Sequence, residues 1–393
     1  MKKLALIGLA ILFIAAFAFV SFTILMWSIP AVPGTYAIEL ADLDVDGDLD
    51  AFLANGRNEA PEPNTVLLND GSGNFRDSGQ RLGEFESRGL ALADFDDDGD
   101  IDALVGNIAW GEYFWNDGRG QFGYGQSVSM PESGGYSIGL WRFEAGDLNG
   151  DNRVDLFLTG CCGGGISHGP DDWETLNAFN SIWLSDNSGS LRDSEQQFGS
   201  GSSEAVALGD LDGDGDLDGF TVNSAHMDEE GQSVAYDPNT VWLNDGRGGF
   251  IDSGQRLGTR RSYAVALGDL DGDSDLDAVV GNRGADEIWW NDGRGHFSAG
   301  NQTFGNDFTR FVYLNDLDGD GDPDIFKGSD KQGHIWLNDG RGKFRDSKQS
   351  FSYSSRHAVT LGDVDGDGAI DILAAKLDGA IVWLNNGDGQ MVR

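Results

Sequence analysis

The chain has 393 residues, 39% hydrophobic and 11% aromatic, with 66 acidic against 26 basic side chains and a net charge of −40. That apolar content suffices for a sizeable core and excludes a disordered acidic protein. The shortage of Lys and Arg argues against nucleic acid as a partner, because such binding relies on clustered basic side chains.

Lys2 and Lys3 precede an uncharged, mostly apolar run from Leu4 to Trp27. Its 24 residues are long enough to span a bilayer. Cleaved signal peptides have a shorter apolar core, about 7–15 residues, although Ala16-Phe17-Ala18 offers a small-residue cleavage site. Residues 1–28 therefore read as a signal-anchor, or as a signal peptide if cleaved. An anchor would keep the lysines cytoplasmic. Either reading makes residues 29–393 extracytoplasmic, where Ca²⁺ is abundant, and the anchored form has the membrane as a partner.

A nine-residue loop, Asp-x-Asp-x-Asp-Gly-x-x-Asp, then recurs seven times, with starts 52, 53, 63, 59, 47 and 47 residues apart. Such a period marks a repeat architecture. Positions 1, 3, 5 and 9 place four hard oxygen ligands on one turn, position 7 adds a backbone carbonyl, and water completes the shell that Ca²⁺ takes. The first two ligand sets are Asp42, Asp44, Asp46, Asp48, Asp50 and Asp94, Asp96, Asp98, Asp100, Asp102. The third is Asp147, Asn149, Asp151, Arg153, Asp155, and the fourth Asp210, Asp212, Asp214, Asp216, Asp218. Asp269, Asp271, Asp273, Asp275, Asp277 and Asp316, Asp318, Asp320, Asp322, Asp324 follow. The last is Asp363, Asp365, Asp367, Ala369, Asp371. Arg153 and Ala369 would ruin a side-chain ligand at position 7 but leave a backbone one intact.

Position 6 is Gly in five copies, with Asn152 and Ser274 in the others, which predicts positive φ. Position 8 is apolar throughout (Leu49, Ile101, Val154, Leu217, Leu276, Pro323, Ile370) and reads as a plug into the core. The loop resembles the first part of an EF-hand, but no Glu stands at position 12 and strands flank it. An acidic solvated turn would explain one copy, not seven in register. The loops hold 33 of the 66 acids, so seven Ca²⁺ would bring −40 to about −26. Asn149, Asn152 and Arg153 make the third site the weakest expected.

About 25–35 residues after each loop comes an apolar run, Asn-Asp-Gly-x-Gly and an aromatic, as in Val241-Trp-Leu-Asn-Asp-Gly-Arg-Gly-Gly-Phe250. This reads as a β-hairpin. One repeat is then strand 1, acidic loop, strand 2, variable loop, strand 3, Asn-Asp-Gly turn, strand 4. Four antiparallel strands in about 50 residues form a propeller blade. Strand 1 alternates apolar pairs such as Val206 and Leu208 with small residues such as Ala205, Ala207 and Gly209, as suits an innermost strand buried on both faces. Leu67, Phe114, Trp183, Trp242, Trp289, Trp336 and Trp383 hold one phase of strand 3 and read as wedge-filling core rather than a ligand box.

These paired elements resemble the FG-GAP/VCBS repeats, also found in the integrin α-chain head, over residues 36–393. Phe-Gly survives only in places, as Phe198-Gly199 and Phe304-Gly305. The resemblance implies an all-β, seven-bladed β-propeller with metal loops between strands 1 and 2. Its blades would cover residues 36–85, 86–138, 139–200, 201–260, 261–307, 308–354 and 355–393. The seventh is short, ending where other blades continue with Asp-Ser-x-Gln, and residues 29–35 are expected to supplement its edge.

Cys161 and Cys162 are adjacent, which leaves either a vicinal disulfide or two free thiols. Six residues before each loop stand Tyr36, Arg88, Trp141, Glu204, Tyr263, Arg310 and His357, at the channel mouth opposite the metal loops. They are aromatic or charged in every blade, with Arg260, Arg261 and Arg356 beside them. They either plug the channel and pair with local acids, or form a ligand rim for an acidic glycan or protein. A second candidate region is the long 2–3 loops of blades 3 and 4, with His168, Asp171, Trp173, His226 and Tyr236. No His-Glu-x-x-His or P-loop occurs, and the five histidines show no catalytic spacing. The expected role is a calcium-binding adhesion or ligand-binding module, lectin-like if the ligand is a glycan. The alternative is a cell-surface polysaccharide lyase or hydrolase.

Overall fold

The computed structural model describes residues 34–56, 62–107, 110–129, 132–133, 136–137, 142–160, 165–169, 172–175, 179–186, 189–199, 203–227, 233–329, 332–353, 358–376 and 379–393. The apolar N-terminal segment, Trp141, Cys161, Cys162, Arg356 and His357 lie outside them.

Seven four-stranded antiparallel sheets follow one another along the chain, each with its strands in sequence order. Blade 1 comprises Gly34–Ala41, Asp50–Gly56, Thr65–Leu68 and Arg76–Asp77. Blade 2 comprises Ser87–Ala93, Asp102–Asn107, Trp110–Asn116 and Phe122–Ser129, and blade 3 Phe143–Gly146, Asp155–Leu158, Asn180–Ser185 and Leu191–Phe198. Ser203–Gly209, Asp218–Asn223, Thr240–Asn244 and Phe250–Asp252 make blade 4. Blade 5 is Ser262–Gly268, Asp277–Asn282, Asp286–Asn291 and Phe297–Phe304, and blade 6 Phe311–Asn315, Asp324–Gly328, Gln332–Leu337 and Arg345–Ser352. Val359–Gly362, Asp371–Lys376, Gly379–Asn385 and Met391–Val392 make blade 7. The fold is the expected all-β seven-bladed propeller. The long connections of blades 3 and 4 are ribbons, Gly165–Gly169 with Asp172–Thr175 and Ala225–Met227 with Ser233–Tyr236.

Blade 7 supplies its own short fourth strand. Gly34 and Thr35, expected at its edge, instead begin strand 1 of blade 1 and pair with Gly56 and Asn55 of strand 2, so these two residues do not supplement blade 7. Residues 29–33 lie outside the described ones. The ring closes through packing and a few hydrogen bonds. A Cβ on Gly362 would meet Leu40 at 2.8 Å and Leu49 at 3.0 Å, so the small residue ending strand 1 of blade 7 admits blade 1. Gly146 and Gly209 receive Leu217 and Leu276 of the following blade in the same way. The position-8 plugs thus seat against the neighbouring blade, and the small residues of strand 1 are the sockets.

The Asn of each Asn-Asp-Gly turn is the second joint. Asn244 Nδ2 donates to Leu148 O of blade 3 at 2.8 Å and to Leu217 O of its own loop at 3.1 Å. Asn116, Asn291, Asn338 and Asn385 do the same toward Leu43, Leu211, Leu270 and Leu317. Asn69 reaches Val364 O at 2.7 Å and closes the ring. Blade 3 has Ser185 here, whose hydroxyl turns to Asp155. Across that junction Arg153 approaches Asp97 of blade 2 at 3.7 Å. The strand 3 aromatics are buried, apart from the half-buried Trp336, and Trp242 Nε1 donates to Thr221 Oγ1 at 3.0 Å.

Candidate metal centres and channel mouth

The acidic loop begins as strand 1 runs out and returns into strand 2. Its first carboxylate organises the turn: in blade 1, Asp42 accepts from the amides of Asp46 and Gly47 at 3.1 and 3.0 Å. Gly47, Gly99, Gly215, Gly321 and Gly368 have φ between +90 and +99°, and Asn152 and Ser274 have +63 and +76°. Position 4 is also left-handed, which the motif did not flag. It is Gly in blades 3 to 7, but Val45 and Asp97 adopt φ of 60 and 61° in blades 1 and 2.

Position 9 does more than offer a ligand oxygen. Asp218, fully buried, accepts from Leu211 N at 2.9 Å and Asn244 N at 2.8 Å, clasping the loop start to the end of strand 3. All seven blades repeat this clasp. Burial pushes these carboxyls up despite the amide donors, to about 6 at Asp50 and Asp218 and about 7 at Asp102, Asp277 and Asp324. The position-3 carboxyls Asp44, Asp96, Asp212, Asp271, Asp318 and Asp365 are also raised, by burial first and then by neighbouring carboxylates.

A metal ion fits these sites. Oxygens of Asp42, Asp44 and Asp50 lie within 4.8 Å of one another, as do those of Asp94, Asp96 and Asp102 and of Asp210, Asp212 and Asp218. Asp269, Asp271 and Asp273 converge likewise, as do Asp316, Asp318 and Asp320. Asp44 Oδ1, Asp271 Oδ1 and Asp318 Oδ1 are buried without a hydrogen-bond partner. An all-oxygen donor set suits a hard cation. The position-7 side chains fold back over the hairpin turn: a Cβ on Gly246 would meet Asp216 Oδ2 at 2.3 Å. In blade 3, Arg153 Nη1 instead donates to Asp151 Oδ2 at 3.1 Å, setting a cation against a ligand carboxylate.

Four of the residues six before each loop have a structural origin that the sequence did not show. Strand pairing skips one residue between Thr35 and Ala37, Ser87 and Gly89, Ser203 and Ala205, and Ser262 and Ala264. Tyr36, Arg88, Glu204 and Tyr263 are therefore β-bulge residues, re-aimed relative to the strand. A hydroxyl–amide bond flanks each bulge, as Ser203 Oγ donating to Asn223 Oδ1 at 2.8 Å.

Not all of the ring faces solvent. Arg88 is buried, pairs with Glu86 and lies 5.1 Å over the Tyr36 ring. Glu204 is buried against Arg142, a neighbour of Trp141 that sequence reasoning passed over. Burial lowers Arg142 to about 10, partly offset by Glu204. Tyr263 and Arg310 are half-buried and share Phe308, the tyrosine ring at 4.5 Å and the guanidinium at 4.4 Å. Arg261 lies 5.5 Å over Tyr236, which is exposed, and Arg260 pairs with Glu287 at 2.9 Å. Burial raises the Tyr263 phenol, as does Glu204, whereas Arg261 and Arg283 lower it. The sector of the mouth from blade 4 to blade 6 thus interleaves Arg260, Arg261, Arg283 and Arg310 with Tyr236, Tyr263 and Phe308.

The FG-GAP-like repeat family matches residues 42–105, 94–158, 269–326 and 316–374, more than half of the chain. No curated protein matches it. Among solved structures, an Agrocybe aegerita lectin, described as specifically recognising non-reducing terminal N-acetylglucosamine, is 17% identical with a TM-score of 0.51, over 91% of this chain and 92% of its own. BBS1N, solved in complex with ARL6DN, is 9% identical with a TM-score of 0.55, over 92% and 96%. At these identities the likeness is one of fold. The family match, the seven loops and the seven blades agree: this chain belongs to the FG-GAP-like repeat family, on a propeller fold suited to ligand binding.

Proposed function

We propose that this protein is an extracytoplasmic, membrane-anchored propeller, stabilised by Ca²⁺ in its acidic loops, that binds an acidic glycan or protein at the channel mouth. One observation carries the reading. A chain of net charge −40 gathers arginines and aromatic rings in the blade 4–6 sector of that mouth, on the side away from the acidic loops. Arginine forks and ring faces are suited to carboxylates and sulfates on sugars or peptides. The loops are then scaffold, because their carboxylates are engaged in turns and clasps.

A glycan and matrix-protein array tests this, with Arg261→Ala/Arg310→Ala beside the parent. Arg88 is the wrong residue to change, since it is buried and paired. Loss of binding to acidic ligands in the double variant is expected; unchanged binding rejects the mouth as the site. The lectin neighbour supports a glycan as the first ligand class to try.

A further inference from the structure

Arg142 stands one residue before strand 1 of blade 3 and is 3% exposed. Its backbone is held, since Thr159 N donates to Arg142 O at 3.1 Å. Its guanidinium crosses to blade 4, where Nη1 donates to Glu204 O at 2.6 Å and pairs with the Glu204 carboxylate. The other edge of the fork is idle: Nε and Nη2 are buried and have no hydrogen-bond partner. A buried donor left unpaired costs its full desolvation, and more so in a charged group than in a neutral one. Arginine cannot shed its charge to escape that cost. Burial lowers Arg142 only to about 10, so the cation persists at neutral pH.

A cavity lies against this residue, lined by Arg142, Glu144, Thr159 and Glu204 and by the apolar Phe143 and Val206. It measures about 10 Å³ and is partly open, which leaves room for a single oxygen atom. Two properties define what that oxygen belongs to. Glu204 already matches the charge of Arg142, so the cavity suits a neutral group rather than a second anion. Nε and Nη2 need an acceptor, while the Glu204 carboxylate and the Thr159 hydroxyl on the same walls can receive a donor. A hydroxyl group answers both. A carbonyl satisfies the arginine alone, and a carboxylate sets like charges together.

We propose that the Arg142–Glu204 pair is a hydroxyl subsite of the channel mouth, where the idle edge of the fork takes one hydroxyl of a sugar. This subsite presupposes the mouth as the binding surface, and it narrows the ligand there to an acidic glycan, because a polypeptide backbone offers carbonyls rather than hydroxyls. Glu204 and Tyr263 are bulge residues of adjacent blades, so the subsite adjoins the arginine sector. Arg261 and Arg310 serve the acid groups of the glycan, and Arg142 serves a neutral hydroxyl beside them.

The test titrates the full chain in Ca²⁺ with uronic acid oligosaccharides from polygalacturonate, alginate and hyaluronan, and with polyglutamate as the acidic peptide. At least one oligosaccharide is expected to bind the parent. Arg142→Lys keeps a cation for Glu204 but removes the fork, and is expected to bind that oligosaccharide about tenfold more weakly or worse. Equal affinity in Arg142→Lys overturns the subsite. Binding of polyglutamate and of no oligosaccharide also overturns it, while leaving the mouth as a binding surface; binding of neither defeats both readings. Should Arg142→Lys fail to fold, a crystal structure of the parent with the bound oligosaccharide decides. A sugar hydroxyl within hydrogen-bond distance of Arg142 Nε or Nη2 is expected, and a water in that place with the sugar bound elsewhere is refuting.

Discussion

Removing one side-chain amide between blades should weaken the ring measurably. Asn291 Nδ2 donates to Leu211 O of blade 4 at 2.8 Å and to Leu276 O at 3.2 Å, and its Oδ1 accepts from Asp292 N at 2.9 Å. In Asn291→Ala the backbone bond to Asp277 at 2.8 Å survives, but all three side-chain bonds go. A net hydrogen bond contributes about 1 kcal/mol, and a buried group left unpaired adds about 1–3 kcal/mol. The exposed Asp292 amide can rehydrate, so the expected loss is about 2–4 kcal/mol. Asn291→Asp should be worse than Ala despite its similar shape, because it sets a carboxylate against two carbonyls. Urea unfolding followed by tryptophan fluorescence measures the difference. Ser185→Ala is the control, since blade 3 makes no such joint. A loss below about 0.5 kcal/mol in Asn291→Ala, or Asp no worse than Ala, would refute the latch.

Two other substitutions follow from local geometry. Val45 is left-handed and 67% exposed, where blades 3 to 7 have Gly. Val45→Gly should relieve about 1–2 kcal/mol of backbone strain, less about 0.5–1 kcal/mol of glycine entropy, and raise the melting temperature of the Ca²⁺-loaded protein; a fall would contradict the strain. Lys327, buried, pairs with Asp286, whose carboxyl burial pushes up and Lys327 pulls down. Lys327→Met leaves that carboxylate alone and should cost about 3–5 kcal/mol, much of it recovered by adding Asp286→Asn. Additive single effects in the double-mutant cycle would show that the pair is not coupled.

The propeller was legible because its ligand chemistry repeats. Asp at positions 1, 5 and 9 and the Asn-Asp-Gly turns fix loop and hairpin in every blade, and the alternation in strand 1 gives its place at the axis. The mouth was legible only as an anomaly of position. Its cause is a bulge, which depends on the strand 2 partner, as with Ser203 opposite Asn223, and no single-strand pattern carries that. Arg142 was missed because it lies one residue out of phase, and its burial against Glu204 comes from the next blade. The Asn joints were missed for the same reason. The turn signal explained Asn locally, whereas its acceptors, such as Leu148 O for Asn244, lie almost a hundred residues away. Contacts between blades are where sequence reasoning ran out.

The proposed role of the seven loops is that of a Ca²⁺ scaffold. Without the ion, every loop but the third holds raised carboxyls at positions 3 and 9 beside further carboxylates, and three loops leave a buried oxygen unpartnered. Each site filled at a hundred times its Kd stabilises by about 2.7 kcal/mol. The most direct test is thermal melting of the full chain in Ca²⁺ and in excess chelator. A substantially lower melting temperature in chelator, restored by Ca²⁺, is the predicted result. A melt indifferent to chelator would contradict it.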